Sequence, residues 1–490
     1  MKTQTFTILH SNDMHGDFLA EDSDADGRDL RGGLALLSGY IGRVRREEKN
    51  VIYAIAGDMV QGSLIDSEYR GISTIEIMNF LAPDVVSLGN HELDYGLAHL
   101  LFLEKMANFP IVNANLYIKK YHKRLMTPHV IINKGGFSIL FIGIITEKVM
   151  DSISRDREIG SFITLEEAGA EIGRICDAYR HDDIDLTILL THIGIESDRE
   201  LARLLDPAWG VDMIIGGHSH TVLEEPVREN NILIVQAGTG TDYIGRFDIT
   251  VDDDTNAITK SRWQLVPITE QAAEPDTKLL AYIDSFKEVV DRKYNTVLCR
   301  FTTALGHPQR EIETPLGNLV ADIFADAAGC DVMLAGSGAI RSRELGPAVT
   351  LGDFRACFPF EDSIRRYTIT GAQMIKIFTH IMRPENRDGE GECYQVNAAV
   401  RAVYDDGKRA LESLTVLGRP VTGTEQYTLG LVGYHADNCT KNLNITPDEL
   451  IAISGTKVAA TSGNAVLEEY LRTHPNLSRE TEGRLVYRTP

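Results

Sequence analysis

A chain of 490 residues exceeds what one hydrophobic core serves, since cores stop growing at roughly 250–300 residues, and two domains are expected. Its 43% hydrophobic and 24% charged content is that of a soluble globular protein and argues against disorder, while no apolar stretch approaches a membrane span. The formal net charge of −22 argues against nucleic acid as the main partner, because that binding rests on clustered Lys and Arg. Met1 runs within a few residues into the apolar stretch at Phe6, with no pattern of a cleavable leader, so a cytoplasmic location is the expectation. Cys176, Cys299, Cys330, Cys357, Cys393 and Cys439 show no paired spacing and read as free thiols.

In chain order, an apolar run from Phe6 is followed by Leu34, Leu37, Tyr40, Ile41 and Val44 at helical spacing. Residues 51–56 read as a buried strand, Ile75, Met78, Asn79 and Leu81 as a helix, and residues 85–88, 186–190 and 213–215 as further strands. Strands alternating with helices predict an α/β layered domain over residues 1–270. Residues 270–276 are acidic and contain a breaker; Leu279, Leu280, Ile283, Phe286, Val289 and Val290 then recur at helical spacing, with Asp276 as the N-cap. Residues 271–296 are therefore a linker and connecting helix. A smaller α/β domain fills 297–490, with helices at 316–328 and 371–381 and a strand at 332–334. There is no internal repeat.

Each strand of the first domain leads into a polar island: Asp13-Met14-His15, Gly57-Asp58, Gly89-Asn90-His91-Glu92, Thr191-His192 and Gly217-His218-Ser219-His220. Asp, Asn and His supply the oxygen and nitrogen donors that first-row divalent metals take, and two adjacent metals need about seven donors plus a shared carboxylate. Singly, each island has an ordinary reading as a turn acid or a solvated imidazole. Jointly they present only metal-competent groups, at strand ends that open α/β sheets bring to one rim.

The series resembles the calcineurin-like metallophosphoesterases, whose motif these five segments match without a missing ligand. The resemblance implies a four-layer α/β/β/α sandwich with a dinuclear centre. Asp13, His15, Asp58 and His220 would hold one ion, and Asp58, Asn90, His192 and His218 the other, with Asp58 as the bridge. Zn, Mn, Fe, Co and Ni all suit such a mixed donor set. His91 would be the general acid, and Asp94 would either fix its tautomer or serve as a helix N-terminal acid. In-line attack by a water or hydroxide shared between metals roughly 3.5–4 Å apart would then hydrolyse a phosphate ester.

The layout as a whole resembles the 5'-nucleotidase family. The supporting segments are Thr314-Pro315-Leu316-Gly317-Asn318-Leu319-Val320-Ala321-Asp322, Gly336-Ser337-Gly338-Ala339-Ile340-Arg341 and Phe358-Pro359-Phe360. By that resemblance Arg341 and Arg310 face the substrate, while Phe360 and Tyr434 stack on a base; the alternatives are surface ion pairs and core packing. The chain departs from the family at Gly336, where Asn is usual, and at Thr440, where the acid for ribose hydroxyls is expected, with Asp437 as an alternative acceptor from a shifted loop. A nucleotide, or a similar small phosphate monoester, is the expected substrate, with no nucleic-acid polymer or membrane as partner. A phosphodiesterase or pyrophosphatase acting on 2',3'-cyclic nucleotides or nucleotide sugars is the near alternative. A non-catalytic metal-containing binding protein is the rival from another class, and it would be expected to lack a ligand or His91.

Overall fold

The structure is a computed structural model that describes residues 3–22, 30–118, 123–145, 161–162, 164–252, 256–387 and 392–489. It divides into two compact units, Met1–Val290 and Asp291–Pro490.

The first unit contains β1 (Thr3–Ser11), β2 (Val51–Ala56), β3 (Val85–Ser87), β4 (Ile111–Val112), β5 (His129–Lys134) and β6 (Phe137–Ile145). It continues with β7 (Leu186–His192), β8 (Val211–Ile215), β9 (Val227–Glu229), β10 (Ile232–Val235), β11 (Tyr243–Asp252) and β12 (Ala257–Pro267). They form two sheets of six strands, ordered β12-β11-β1-β2-β3-β4 and β9-β10-β8-β7-β6-β5. In each sheet the inner strands are parallel: β1 with β2 and β2 with β3 in one, β6 with β7 and β7 with β8 in the other. The hairpin β11-β12 closes one edge of the first sheet.

Strand periodicity assigns the layers. On β6, Phe137, Ile139 and Phe141 enter a core shared with Phe6, Ile8, Ile52 and Val85, so this core lies between the sheets. The alternate residues Leu140, Ile142 and Ile144 pack outward on Ile172 and Ile175 of a helix at Leu165–Ala178 and on Leu201 of one at Ile195–Leu204. With Leu34–Glu47 and Ile72–Leu81 as helices of this unit too, the domain is the expected α/β/β/α sandwich. Both faces of the strands are covered, and all six residues of β2 are buried, which is why they read as continuous apolar runs.

The connecting helix is Thr277–Tyr294. Asp276 Oδ1 accepts from the backbone of Lys278 and Leu279, the N-cap contact its position implied. On the first unit it is held by Tyr282, whose hydroxyl donates to Glu76 Oε2 (2.7 Å), and by Phe286 against Tyr69.

The second unit is built on a five-stranded sheet of β13 (Val332–Gly336), β14 (Ile364–Thr370), β15 (Tyr394–Val396), β16 (Gln426–Val432) and β17 (Lys457–Ala460), ordered β15-β13-β16-β14-β17. One face packs on the helix Pro315–Ala328, started by Thr314 and Pro315 and stopped at left-handed Gly329; the other packs on Gly371–Ile381. All six cysteines are unbridged, and no helix among the described residues is long and apolar enough to cross a membrane.

One core residue ties stability to pH. His10 on β1 is fully buried, stacks on Trp263 at 5.4 Å, and neither ring nitrogen meets a partner among the described residues. Burial pushes its pKa down from 6.5 to about 3, so the unfolded chain binds a proton that the folded chain refuses. The stabilisation is complete above pH 6.5 and is lost as pH falls toward 3, a loss of about 2 kcal/mol at pH 5. Denaturant unfolding of wild type and His10→Leu from pH 7 to 4.5 should show a slope smaller by up to one proton in the variant; equal slopes would refute the assignment.

Candidate metal centre and aromatic rim

All five islands lie at the carboxyl ends of parallel strands. Asp13 and His15 follow β1, Asp58 follows β2, Asn90 and His91 follow β3, and His218 and His220 follow β8. Thr191 and His192 differ from the expectation: they are the last two residues of β7 rather than a loop beyond it, so the strand ladder itself holds His192.

The loops are stitched across the two sheets. The backbone N–H of Asp13 donates to Gly57 O (3.1 Å), and that of His15 to Asp58 O (3.0 Å). From the other sheet, the N–H of His218 donates to the Asp13 carboxylate (2.9 Å), and His192 Nδ1 lies 2.9 Å from Ala56 O. Room is short: a Cβ on Gly57 would stand 2.6 Å from His192 Nδ1, and one on Gly89 would stand 2.3 Å from Asp58 Oδ1. Asp13, His15, Asp58, His218 and His220 all have left-handed backbones, with φ between 49° and 78°. Such a conformation costs a non-glycine residue about 1–2 kcal/mol, and five together mark a site where the surroundings dictate geometry.

Three groups of donor atoms result, each within 4.8 Å: Asp13, His15 and His220; Asp58, His192 and His218; and His15, Asp58 and His91. Asn90 Oδ1 joins the second through His218 Nδ1 at 3.2 Å. All seven residues expected as ligands are thus brought together. His15 Nδ1 faces Gln61 O and His192 Nδ1 faces Ala56 O; with those nitrogens donating, each ring turns a lone pair on Nε2 toward the cluster. His192 Nε2 is buried 2.9 Å from Asp58 Oδ2 but without hydrogen-bond geometry, and it has no hydrogen-bond partner among the described residues. A buried, unsatisfied imidazole nitrogen aimed at a carboxylate fits a cation between them. Burial works against the Asp58 charge, yet the His192 and His91 imidazoles hold the carboxyl below its usual range.

His91 stands at the edge of the cluster. Its Nδ1 is 2.6 Å from Asp94 Oδ2, and that hydrogen bond raises the imidazole above its ordinary pKa against the opposing effect of burial. Asp94 thus contacts the His91 ring directly.

Three further residues shape the cluster although sequence reasoning assigns them no role. Glu92, in the same island, is buried and its carboxylate accepts from the backbone of Gly89 (2.7 Å), Asp58 (3.0 Å) and Met59 (2.7 Å). Asn12 donates to Asp13 Oδ2 and Gly238 O (both 2.7 Å) and accepts from Ala237 N. Asp198 accepts from Thr191 Oγ1 (2.6 Å) and Gln236 Nε2 (3.1 Å), and Ser219 Oγ donates to Gln236 in turn, tying β7 to the His218–His220 turn. Only adjacency to the islands signals the first two.

In the second unit, the carboxyl ends of β13 and β16 meet the start of β14. Phe360 and Tyr434 are 58% and 49% exposed, which excludes core packing. The loop carrying Phe360 and the short helix Gly433–Asp437 carrying Tyr434 join where Asp362 Oδ2 accepts from the Tyr434 N–H (2.5 Å). The Arg341 guanidinium lies 5.8 Å over the Phe360 ring, and Arg310 sits beside Gly338, 3.9 Å from Glu311. Asp437 is engaged by Arg365 (2.6 Å), and Thr440 is exposed. At Gly336 a Cβ would stand 2.0 Å from His435 Nε2, so this chain has no room for Asn there.

Known proteins share the two-domain layout. Residues 6–222 match the calcineurin-like phosphoesterase family, and residues 297–443 match the 5'-nucleotidase C-terminal domain. The 5'-nucleotidase-related protein of Glossina morsitans morsitans is 28% identical over 82% of this chain and 79% of its own length. The snake venom 5'-nucleotidase of Crotalus adamanteus is 27% identical over 98% of this chain and 88% of its own. The crystal structure of a 5'-nucleotidase precursor from Thermus thermophilus shares the fold, with a TM-score of 0.63 at 23% identity over 99% of both chains. With a calcineurin-like phosphoesterase domain followed by a 5'-nucleotidase C-terminal domain, this chain belongs to the 5'-nucleotidase family and is a metal-dependent phosphoric ester hydrolase.

Proposed function

We propose that the chain hydrolyses the phosphate monoester of nucleotides at a centre of two divalent ions. One observation carries the reading: five strand ends from two sheets converge seven oxygen and nitrogen donors, with a histidine oriented by a carboxylate beside them. The 5'-nucleotidases among its relatives support the choice of substrate. In this proposal Asp13, His15, Asp58 and His220 hold one ion and Asp58, Asn90, His192 and His218 the other, Asp58 offering an oxygen to each. Such a pair of ions supplies Lewis acidity toward the phosphoryl oxygens and brings the pKa of water close to neutrality.

The chain's own residues do the rest. His91, its Nδ1 tied to Asp94, has Nε2 to pass a proton to the departing nucleoside oxygen. Glu92 and Asn12 keep the Asp58 and Asp13 loops in place, so the donors need little rearrangement. Arg341 and Arg310 offer positive charge in a protein whose net charge is −22, and Phe360 and Tyr434 offer exposed aromatic faces to a base.

Asp58→Asn should bind less metal, measured by elemental analysis after dialysis, and lose turnover. His91→Ala should keep its metal and lose about 10²–10⁴-fold in kcat on a nucleoside monophosphate, yet much less on 4-nitrophenyl phosphate, whose leaving group needs no proton. Equal losses on both esters would remove His91 from the acid role. Glu92→Gln should weaken metal affinity about 10–100-fold while the protein stays folded by circular dichroism; unchanged affinity would deny Glu92 its part. Metal-stripped protein restored with single metals and given AMP, a 2',3'-cyclic nucleotide and a nucleotide sugar tests the substrate. Release of inorganic phosphate from AMP is expected, and nucleoside monophosphate from the other two alone would establish the diesterase or pyrophosphatase reading instead.

A further inference from the structure

The end of β13 carries a glycine with space for nothing larger. A Cβ at Gly336 would lie 2.0 Å from His435 Nε2, 2.8 Å from its Cε1 and 3.1 Å from its Cδ2, so the imidazole edge abuts the backbone. In the antiparallel register of β13 and β15, Gly336 faces Tyr394. The Tyr394 hydroxyl is 3.1 Å from His435 Nδ1, and the two rings cross edge to face at 4.9 Å. The Tyr434 ring also meets His435 edge to face, at 5.2 Å. One buried imidazole therefore touches both the start of the 336–341 segment, which carries Arg341, and the exposed ring of Tyr434.

An apolar side chain would fill this space without the cost of burying a polar ring, so packing alone gives no reason for histidine. Burial lowers its pKa to about 4 and keeps the ring neutral near pH 7, with one donor and one acceptor nitrogen. Tyr394 engages Nδ1, and Nε2 is the nitrogen turned toward Gly336. The ring thus has a fixed orientation, and the position of Tyr434 relative to the 336–341 segment depends on it.

We propose that His435 is a specificity-determining positioning residue: it occupies the volume a side chain at 336 would take and sets the Tyr434 ring for the organic part of the ester. The proposal rests on the nucleotide reading above and concerns recognition, not chemistry. The first measurement is calorimetric titration of adenosine, which has no phosphate, into the metal-loaded full chain. His435→Ala should weaken adenosine binding at least about 10-fold and lower the AMP to glycerol 2-phosphate ratio of kcat/KM by a similar factor, with the AMP loss falling on KM. His435→Gln, which keeps polarity without the ring, should give the same result and serves if the alanine variant fails to fold. Gly336→Ala should lower the thermal midpoint, and Gly336→Ala/His435→Ala should regain part of it without regaining adenosine binding.

Wild-type affinity for adenosine in both His435 variants, an unchanged ratio, or no adenosine binding by wild type would each overturn the proposal. Adenosine binding that depends on His435 in a protein that hydrolyses neither ester would sink the hydrolytic reading while leaving the role of His435 standing.

Discussion

The first unit depends on holding a cluster of polar donors together, with its inner members where water cannot solvate them and His218 and His220 at its exposed edge. Asp13, Asp58 and His192 are buried side by side at the ends of three different strands, and buried charge is costly unless paired or bound to a cation. Nothing local favours this; five of the candidate ligands adopt left-handed backbones that cost energy in isolation. What offsets it is the double sheet, whose inner core aligns the carboxyl ends of the parallel strands and leaves their loops little freedom.

Around the cluster a second set of contacts does the aiming. Carbonyls of Ala56 and Gln61 face the Nδ1 atoms of His192 and His15, the Glu92 carboxylate gathers four backbone N–H groups, and Asn12 braces Asp13. Some of these contacts connect loops far apart in the chain, as in the donation from His218 N to Asp13, 205 residues away. Chemistry that needs several fixed donors at once is therefore placed on strand ends rather than on one flexible loop. The second unit repeats the device with different chemistry, setting exposed aromatic rings and an arginine where the ends of β13 and β16 meet the start of β14.

Much of this is legible in the sequence because the signals are local. The run 51–56 is apolar because β2 is covered on both faces, and Leu34 to Val44 recur at helical spacing because that helix has one buried stripe. Asp276 is readable as a cap because capping needs only the next three residues. The β11-β12 hairpin escapes such a reading because it lies beyond the regular alternation, and the place of Thr191 and His192 in β7 escapes it because polar residues suggest a loop. That Asp437, considered as an acceptor for ribose, pairs with Arg365 is not readable either, since the partner is 72 residues away.

The donor inventory, its order at the strand ends and the layered α/β class are all contained in the chain before it folds, since composition and short-range periodicity carry them. Which nitrogen of each histidine faces the cluster, that Glu92, Asn12 and Asp198 brace it, and that His435 closes the space beside Gly336 emerge only from the folded arrangement. The difference lies in the range of the interactions: a period or a cap is written in neighbouring residues, whereas hydrogen bonds and excluded volume between distant segments exist only once the strands are in register.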